Sequence, residues 1–352
     1  MKSVLSIMLA FNLRSPPVIG SSRGNPIHLG GFSGLYYLGQ DPKSGEYKFI
    51  THTDRGPNGE TLKIAGQPHW SRPMKMPDFV PEWIFLKLNL KTKKLEITER
   101  VKLKDSKGNF LKGVSPYEPK IVGIDEWLVD QSGKEIPANI NGIDAEGIIR
   151  DGEGNFWMCE EYFPSLLKFS SNGTLLKRYV PYGSLNVRSN PEIVESLPKE
   201  FRNKRINLGF EGITFFKGKI YTALQSPLKS SDNFFTILEF DPKSEKFMRE
   251  LKYPMSKPSV DKIGDLIANE SGLFVLEENS ETGDEAIRQV FQVKDLNTVN
   301  LQKNLFLDVS KSILSRALKV EGMTFFSDRK IAFINDNDFD NTNSFIGILD
   351  LN

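Results

Sequence analysis

Four places in this sequence set a small or acidic residue against a glycine and an aliphatic residue. They are Phe32-Ser33-Gly34-Leu35, Ala145-Glu146-Gly147-Ile148, Phe210-Glu211-Gly212-Ile213 and Val320-Glu321-Gly322-Met323. Lys262-Ile263-Gly264-Asp265-Leu266 is a weaker copy. If a fold gathered Glu146, Glu211 and Glu321 and buried them, their charges would repel unless a cation or arginines neutralised them. With one cysteine (Cys159) and three scattered histidines (His28, His52, His69), the chain lacks the residues for an ordinary zinc site. Calcium, which takes about six to eight oxygen ligands, suits carboxylates. Alternatively, each glutamate accepts backbone hydrogen bonds from a neighbouring repeat and staples the repeats together.

The run Asn335-Asp336-Asn337-Asp338-Phe339-Asp340-Asn341 is the densest carboxylate and amide cluster in the chain. It begins like a calcium loop, but Asn341 and Gly347 stand where an EF-hand needs Gly and Glu. It reads as a calcium turn of another kind, or as a polar turn capped by Asx side chains. Arg55, in Asp54-Arg55-Gly56-Pro57, ends an apolar strand where an anion can reach it, and arginine suits bidentate phosphate or carboxylate recognition. Pairing with a glutamate of the ring is the alternative for Arg55. Arg72, Arg205 and Lys262 are weaker candidates. Ser165 and Ser226 follow strand ends, but there is no Gly-x-Ser-x-Gly elbow and little choice of base, so Ser-His-Asp catalysis is not expected. No Gly-x-Gly-x-x-Gly or Walker pattern points to a nucleotide fold.

The elements that would position these residues form a repeat. Each glycine motif is followed by a turn and a second β-rich run with a polar end: 47–54, 155–161, 219–225, 272–278 and 330–336. In four copies the glycine precedes that end by 13 or 14 residues, and in the first an inserted loop stretches the distance to 20. Two apolar runs at constant offset around a turn signal a hairpin. Further strand pairs at 84–90 with 95–103 and 234–240 with 247–253 give about four strands per unit, the composition of a propeller blade. The glycine gaps are 113, 65, 52 and 58 residues. The first, close to twice a blade, predicts six blades with one degenerate unit between 85 and 143; five blades with a long insertion is the alternative. The fold class is therefore all-β, a single β-propeller domain over 1–352. Residues 344–351 read as the third strand of the last blade, with 18–29 as the fourth that closes the ring. The one helix candidate, 191–202, is broken by Pro198 and falls in an inter-blade insertion at 182–209. Innermost strands line a propeller's channel, which puts Ser33, Glu146, Glu211 and Glu321 near the axis. The ends of the second strands lie beside them or at the far end of the hairpin, according to register.

Composition narrows the function. Among 352 residues, 46 basic and 45 acidic ones leave a net charge of +1, without the basic footprint of a nucleic-acid binder. The 39% hydrophobic and 26% charged fractions are those of a soluble globular protein. Residues 1–15, with a lysine and an apolar run at 4–11, resemble a short export signal; a first strand or a frayed, disordered terminus is the alternative. The expected location is periplasmic or secreted, with cytoplasmic as the alternative. No stretch is long enough to span a membrane, and a monomer is expected.

At these motifs the chain resembles the phytase-like family described as "esterase-like activity of phytase". The resemblance rests on residues 31–35, 53–56, 144–148, 156–164, 210–213, 221–228 and 320–323, in the family's order. One departure is Glu161-Tyr162-Phe163-Pro164, where the family pattern has Glu-Tyr-Gly-Pro; another is the unremarkable stretch 104–143. The resemblance implies a propeller, frequent export, and hydrolysis of phosphoric or carboxylic esters. A looser similarity links the Glu-Gly pairs to gluconolactonase and paraoxonase propellers. The resulting expectation is a calcium-dependent phosphoric-ester hydrolase. Glu161 and Arg55 are its candidate catalytic residues, and Arg55, His52, Tyr162, Gln225 and Ser226 contact a small ester or phosphate ligand. Glu146, Glu211, Glu321, Asn335, Asp336 and Asp338 are the candidate calcium ligands. A non-catalytic binding module and a lactonase or carboxylesterase are the alternatives.

Overall fold

A computed structural model describes residues 8–118, 126–184, 190–257, 259–317, 319–327, 329–340 and 343–351. The repeated apolar runs become five sheets, each built on four antiparallel strands. Blade 1 comprises Phe32–Gln40, Tyr47–Thr53, Glu82–Asn89 and Lys94–Lys102, from the inside outward. Blade 2 comprises Ala145–Arg150, Phe156–Glu160, Ser165–Phe169 and Leu175–Pro181; blade 3 comprises Phe210–Phe216, Lys219–Leu224, Phe234–Asp241 and Lys246–Pro254. Blade 4 comprises Lys262–Asn269, Gly272–Glu278, Arg288–Val293 and Asn304–Asp308; blade 5 comprises Lys319–Phe325, Lys330–Asp336, Phe345–Asp350 and, from the other end of the chain, Leu9–Asn12.

The innermost strands touch in the cycle 1–2–3–4–5–1. The core is correspondingly divided into layers between adjacent blades. Trp83, Met158 and Phe169 fill the first interface, Trp157, Tyr179 and Phe240 the second, and Ile237, Tyr253 and Val275 the third. Phe274, Val290 and Phe333 fill the fourth, while Phe49, Leu86 and Ile334 close the ring. Second strands are covered on both faces, so Gly272–Glu278 is buried throughout, as in a sheet packed between two others.

The glycines of the repeat set how closely the blades approach. A β-carbon on Gly34 would lie 3.0 Å from the Gly147 Cα, and one on Gly147 would lie 3.0 Å from the Ile213 amide nitrogen. On Gly212 it would lie 2.6 Å from the Leu266 nitrogen, and on Gly322 2.6 Å from the Gly34 carbonyl carbon. Each glycine therefore meets the backbone of the next blade, which no side chain permits at this distance.

Four expectations from the sequence change. The unit expected between 85 and 143 is not a sixth blade among the described residues. Its first part supplies the outer strands of blade 1, because Glu82–Asn89 pairs with Tyr47–Thr53. The rest is an insertion whose Trp127–Val129 joins Leu62–Lys63 and Trp70–Pro73 in a small three-stranded sheet. Val18–Ser22 does not close the ring but pairs with Asn25–His28 in a separate hairpin. The closing strand is Leu9–Asn12, paired with Phe345–Asp350, so that part of 1–15 belongs to the folded domain; 1–7 lie outside the described residues. Finally, within 182–209 the segment Ile193–Leu197 is no helix but a parallel fifth strand on the edge of blade 2, with a short 3-10 turn at Lys199–Asn203 after Pro198. Residues 185–189 of that insertion lie outside the described residues, as does Asn341.

Candidate active site

The glutamates are exposed to the axis by irregularities in their own strands. The pairing register skips from Ala145 to Gly147, from Phe210 to Gly212 and from Val320 to Gly322. Glu146, Glu211 and Glu321 are thus the extra residues of β-bulges, which leave the ladder and re-aim a side chain. In blade 4 the skip falls between Ile263 and Asp265, so Gly264 holds the glutamate's place and Asp265 the glycine's. The sequence motif aligned these two one residue out of register. Without a side chain, Gly264 admits the Glu278 carboxylate, which pairs with Lys262 at 3.1 Å and Arg288 at 3.2 Å.

Carboxylate oxygens of Glu146, Glu211 and Glu321 lie within 4.8 Å of one another, as do those of Asp144, Glu146 and Glu161, and those of Asp54, Asp336 and Asp338. All except Asp338 are buried. Antiparallel pairing explains the company: Ala145 faces Glu160 and Lys319 faces Asp336, so the second strands end where the first strands begin. Ser33 Oγ donates to Glu146 Oε2 at 2.5 Å and reaches Glu321 Oε2 at 3.4 Å. Gln225 Nε2 donates to Glu161 Oε1 at 2.6 Å and to Glu211 Oε2 at 3.0 Å, whereas Glu211 Oε1 has no hydrogen-bond partner. Lys319 Nζ lies 3.5 Å from Glu321, 3.1 Å from Asp336 and 3.0 Å from Asp338, and so joins two of the clusters.

Burial, then the neighbouring carboxylates, drives Glu146 and Glu211 well above the usual carboxylate range. Glu161 rises to about 7 through burial and Asp144, with Arg55 pulling the other way. Burial and then Asp336 raise Asp54. Burial opposes the charge on Lys319, but Glu321, Asp336 and Asp338 outweigh it and push the ammonium up. The cluster therefore carries more negative charge than its cations balance, and its neutral form is favoured unless a further cation enters.

Arg55 adjoins the Asp144 cluster but is buried, not open to an anion as its place at a strand end suggested. Its backbone N–H donates to Asp144 Oδ1 at 2.9 Å, and Nη1 lies 3.4 Å from Asp144 Oδ2 and donates to Asn207 Oδ1. The Tyr162 ring packs 5.5 Å from the guanidinium and is fully buried. Three expected site residues are bonded elsewhere or buried. Both ends of the Asn335 amide are spent within blade 5, accepting from Phe345 N at 2.7 Å and donating to the Asn343 carbonyl at 3.2 Å. His52 is fully buried against Gly34, and burial lowers it to about 3, so it is neutral. Ser226 accepts from Lys204 Nζ at 2.8 Å, which ties its loop down. Asp144 and Lys319 were missed as site residues, although each stands two positions before a ring glutamate. Asn207 and Glu126, which also meet Arg55, gave no signal in the sequence.

The opposite ends of the inner strands line a cavity of about 300 Å³, with Tyr36, Arg150, Thr214, Ile267 and Thr324 among its residues. Its one carboxylate, Asp265, is spent on the Leu266 and Met323 amides, both at 2.7 Å. The carboxylate clusters lie at the other end of these strands.

Among solved structures, the chain is similar to a luciferin-regenerating enzyme (11% identity, 92% of each chain, TM-score 0.41). It is also similar to virginiamycin B lyase from Staphylococcus aureus (11% identity, 98% of this chain and 99% of that one, TM-score 0.40). An α-L-arabinofuranosidase from Clostridium thermocellum has a TM-score of 0.44 at 9% identity, over 87% and 82% of the two chains. Likenesses this distant carry nothing about chemistry. A protein of Arthroderma benhamiae named as an uncharacterized secreted protein is 32% identical over 106 residues, which are 25% of this chain and 20% of that protein. No helix among the described residues is long and apolar enough to cross a membrane. The model of the phytase-like family, esterase-like activity of phytase, matches residues 27–339, and the chain belongs to that family.

Proposed function

We propose that this propeller is a calcium-dependent hydrolase of phosphoric esters, working at the acidic end of its channel. The observation that carries this reading is the convergence of Glu146, Glu211 and Glu321 within 4.8 Å, with the buried Glu211 Oε1 left without a partner. An all-oxygen donor set with surplus negative charge suits a hard cation. Glu146, Glu211 and Glu321 would hold calcium, with Asp144 and Glu161 beside them and Asp336 and Asp338 beyond Lys319. When bound, the ion supplies positive charge against the negative charge that develops on a phosphoryl group.

The chain's own residues do the rest. Arg55 binds and orients phosphoryl oxygens, and the groups that hold its backbone and guanidinium keep it aimed. Without the ion, burial and Asp144 raise Glu161 to about 7; it is the acid–base candidate, and a bound cation would favour its base form. Gln225 engages its Oε1, so the proton exchanges at Oε2. We also propose an extracytoplasmic location, supported by the partial likeness to a protein named as secreted; cell fractionation tests it.

One observation favours a binding module instead: Ser33, Gln225 and Lys319 already bond part of the ring. Turnover of aryl phosphate, aryl ester and lactone probes, with calcium and with chelator, separates the readings. The expected result is phosphatase activity that needs calcium. Arg55→Lys, which keeps the charge but loses the forked geometry, should lower turnover on the order of a hundredfold while the melting temperature changes little. Calcium-dependent stability without turnover of any probe would establish the binding module. Ester or lactone turnover alone would move the substrate class.

A further inference from the structure

Arg72 reaches this site from the insertion rather than from a blade. It lies on Trp70–Pro73, alongside Leu128 of Trp127–Val129. Its Nη1 donates to Asn58 Oδ1 at 3.2 Å and to the Gly59 carbonyl at 3.0 Å. Arg55 is anchored separately, on Asp144, Asn207 and the Tyr162 ring. Each guanidinium is thus fixed by partners of its own, yet both converge on one further carboxylate. Glu126 Oε1 pairs with Arg72 Nε, while Oε2 lies 3.6 Å from Arg55 Nη1. Burial, and then the charge of Arg55, holds Arg72 down at about 10.

Glu126 is buried but belongs to no blade. It lines a cavity of about 260 Å³ with Ser115, Tyr117, Trp127 and Ile136 among others, which gives a withdrawn side chain room. One carboxylate oxygen on each of two preset guanidiniums is how an oxyanion bridges an arginine pair. With Asp144 retained, Arg55 and Arg72 leave one positive charge over, so a singly charged oxyanion can replace Glu126 with no net change.

We propose that Arg55 and Arg72 form a two-guanidinium seat for an oxyanion of the ligand, phosphoryl or carboxylate, and that Glu126 fills this seat until the ligand displaces it. The proposal deepens the hydrolase reading and rests on it only in identifying the ligand as a substrate. Titration calorimetry with inorganic phosphate and with acetate, in calcium-free buffer near pH 6.5, tests it on wild type, Glu126→Gln, Glu126→Asp and the double variant Glu126→Gln with Arg72→Ala. Glu126→Gln should bind phosphate roughly tenfold more tightly than wild type, and the added Arg72→Ala should remove the gain. Glu126→Asp, whose carboxylate is drawn back by one methylene, should gain several-fold and serves if the amide variant does not fold. A matching gain for acetate admits carboxylate ligands; a gain for phosphate alone restricts the seat to phosphoryl groups. If neither Glu126 variant binds either anion more tightly than wild type, Glu126 is a pin for the insertion and the seat is wrong. Because binding is read without calcium or turnover, a variant that gains phosphate affinity in a protein that hydrolyses nothing sinks the hydrolase reading and keeps the seat.

Discussion

Gly212 and Leu266 approach so closely that a β-carbon on the glycine would lie 2.6 Å from the Leu266 amide nitrogen. The contact is backbone to backbone between blades 3 and 4, so neither side can yield by a change of rotamer. Gly212→Ala must separate two inner strands, and overpacking of this kind costs about 3 kcal/mol. Urea denaturation of Gly212→Ala beside Gly152→Ala measures it, since Gly152 has nothing within 4 Å. Equal midpoints for the two variants would mean that the inner strands are not packed as described.

Asp265 adds a side-chain bond between blades 4 and 5. Its Oδ2 accepts from the Met323 amide at 2.7 Å. Asp265→Ala leaves a buried N–H without a partner, which costs about 1 to 3 kcal/mol. Amide exchange at Met323 should accelerate in the variant by the corresponding factor. Exchange as slow as in wild type would mean that another group has taken up the hydrogen.

Stability without calcium should fall as pH rises. Glu160 is raised to about 8 by burial and Glu161 to about 7 by burial and Asp144, against 4.5 as the ordinary value. Between these limits the folded state holds protons that the unfolded chain has released, so the slope of unfolding free energy against pH is negative. The stabilisation is complete below about 4.5 and lost as pH passes through about 7 and 8. Melting curves of calcium-free protein from about pH 5.5 to 8.5 should show a declining midpoint. A midpoint that rises over this range would mean that these carboxylates are ionised in the fold.

Calcium and Glu211 should be linked. If the ring holds the ion, calcium raises the melting temperature by mass action on the folded state. Glu211→Gln is close in shape and removes one charge from a crowded, buried set. It should melt at or above the wild-type temperature in chelator, and its rise with calcium should be largely lost. A ring of pure staples would give no calcium response in either protein.

Much of this was legible in the sequence for a definite reason. Strand alternation, turn residues and the recurring Glu-Gly pair are local features, and a repeat that builds a closed ring converts distant positions into neighbours by symmetry. Glu146, Glu211 and Glu321 could therefore be brought to one axis from spacing alone, whereas Gln225 and Asp336, at the ends of second strands, could lie beside them or at the far end of the hairpin until the register was known. What tertiary structure decided was whatever symmetry does not carry. The blade count turned on whether 104–143 folds as a unit or decorates blade 1, which depends on packing partners far away in the chain. The bulge register in blade 4 exchanged Gly264 and Asp265, and from the glycine's place Asp265 bonds Met323 in the next blade. The closing strand Leu9–Asn12 is chosen by the open edge it meets. Arg72 and Glu126 reach Arg55 through an insertion outside the repeat, so the meeting of two cations on one carboxylate has no periodic signal and exists only once the chain is folded.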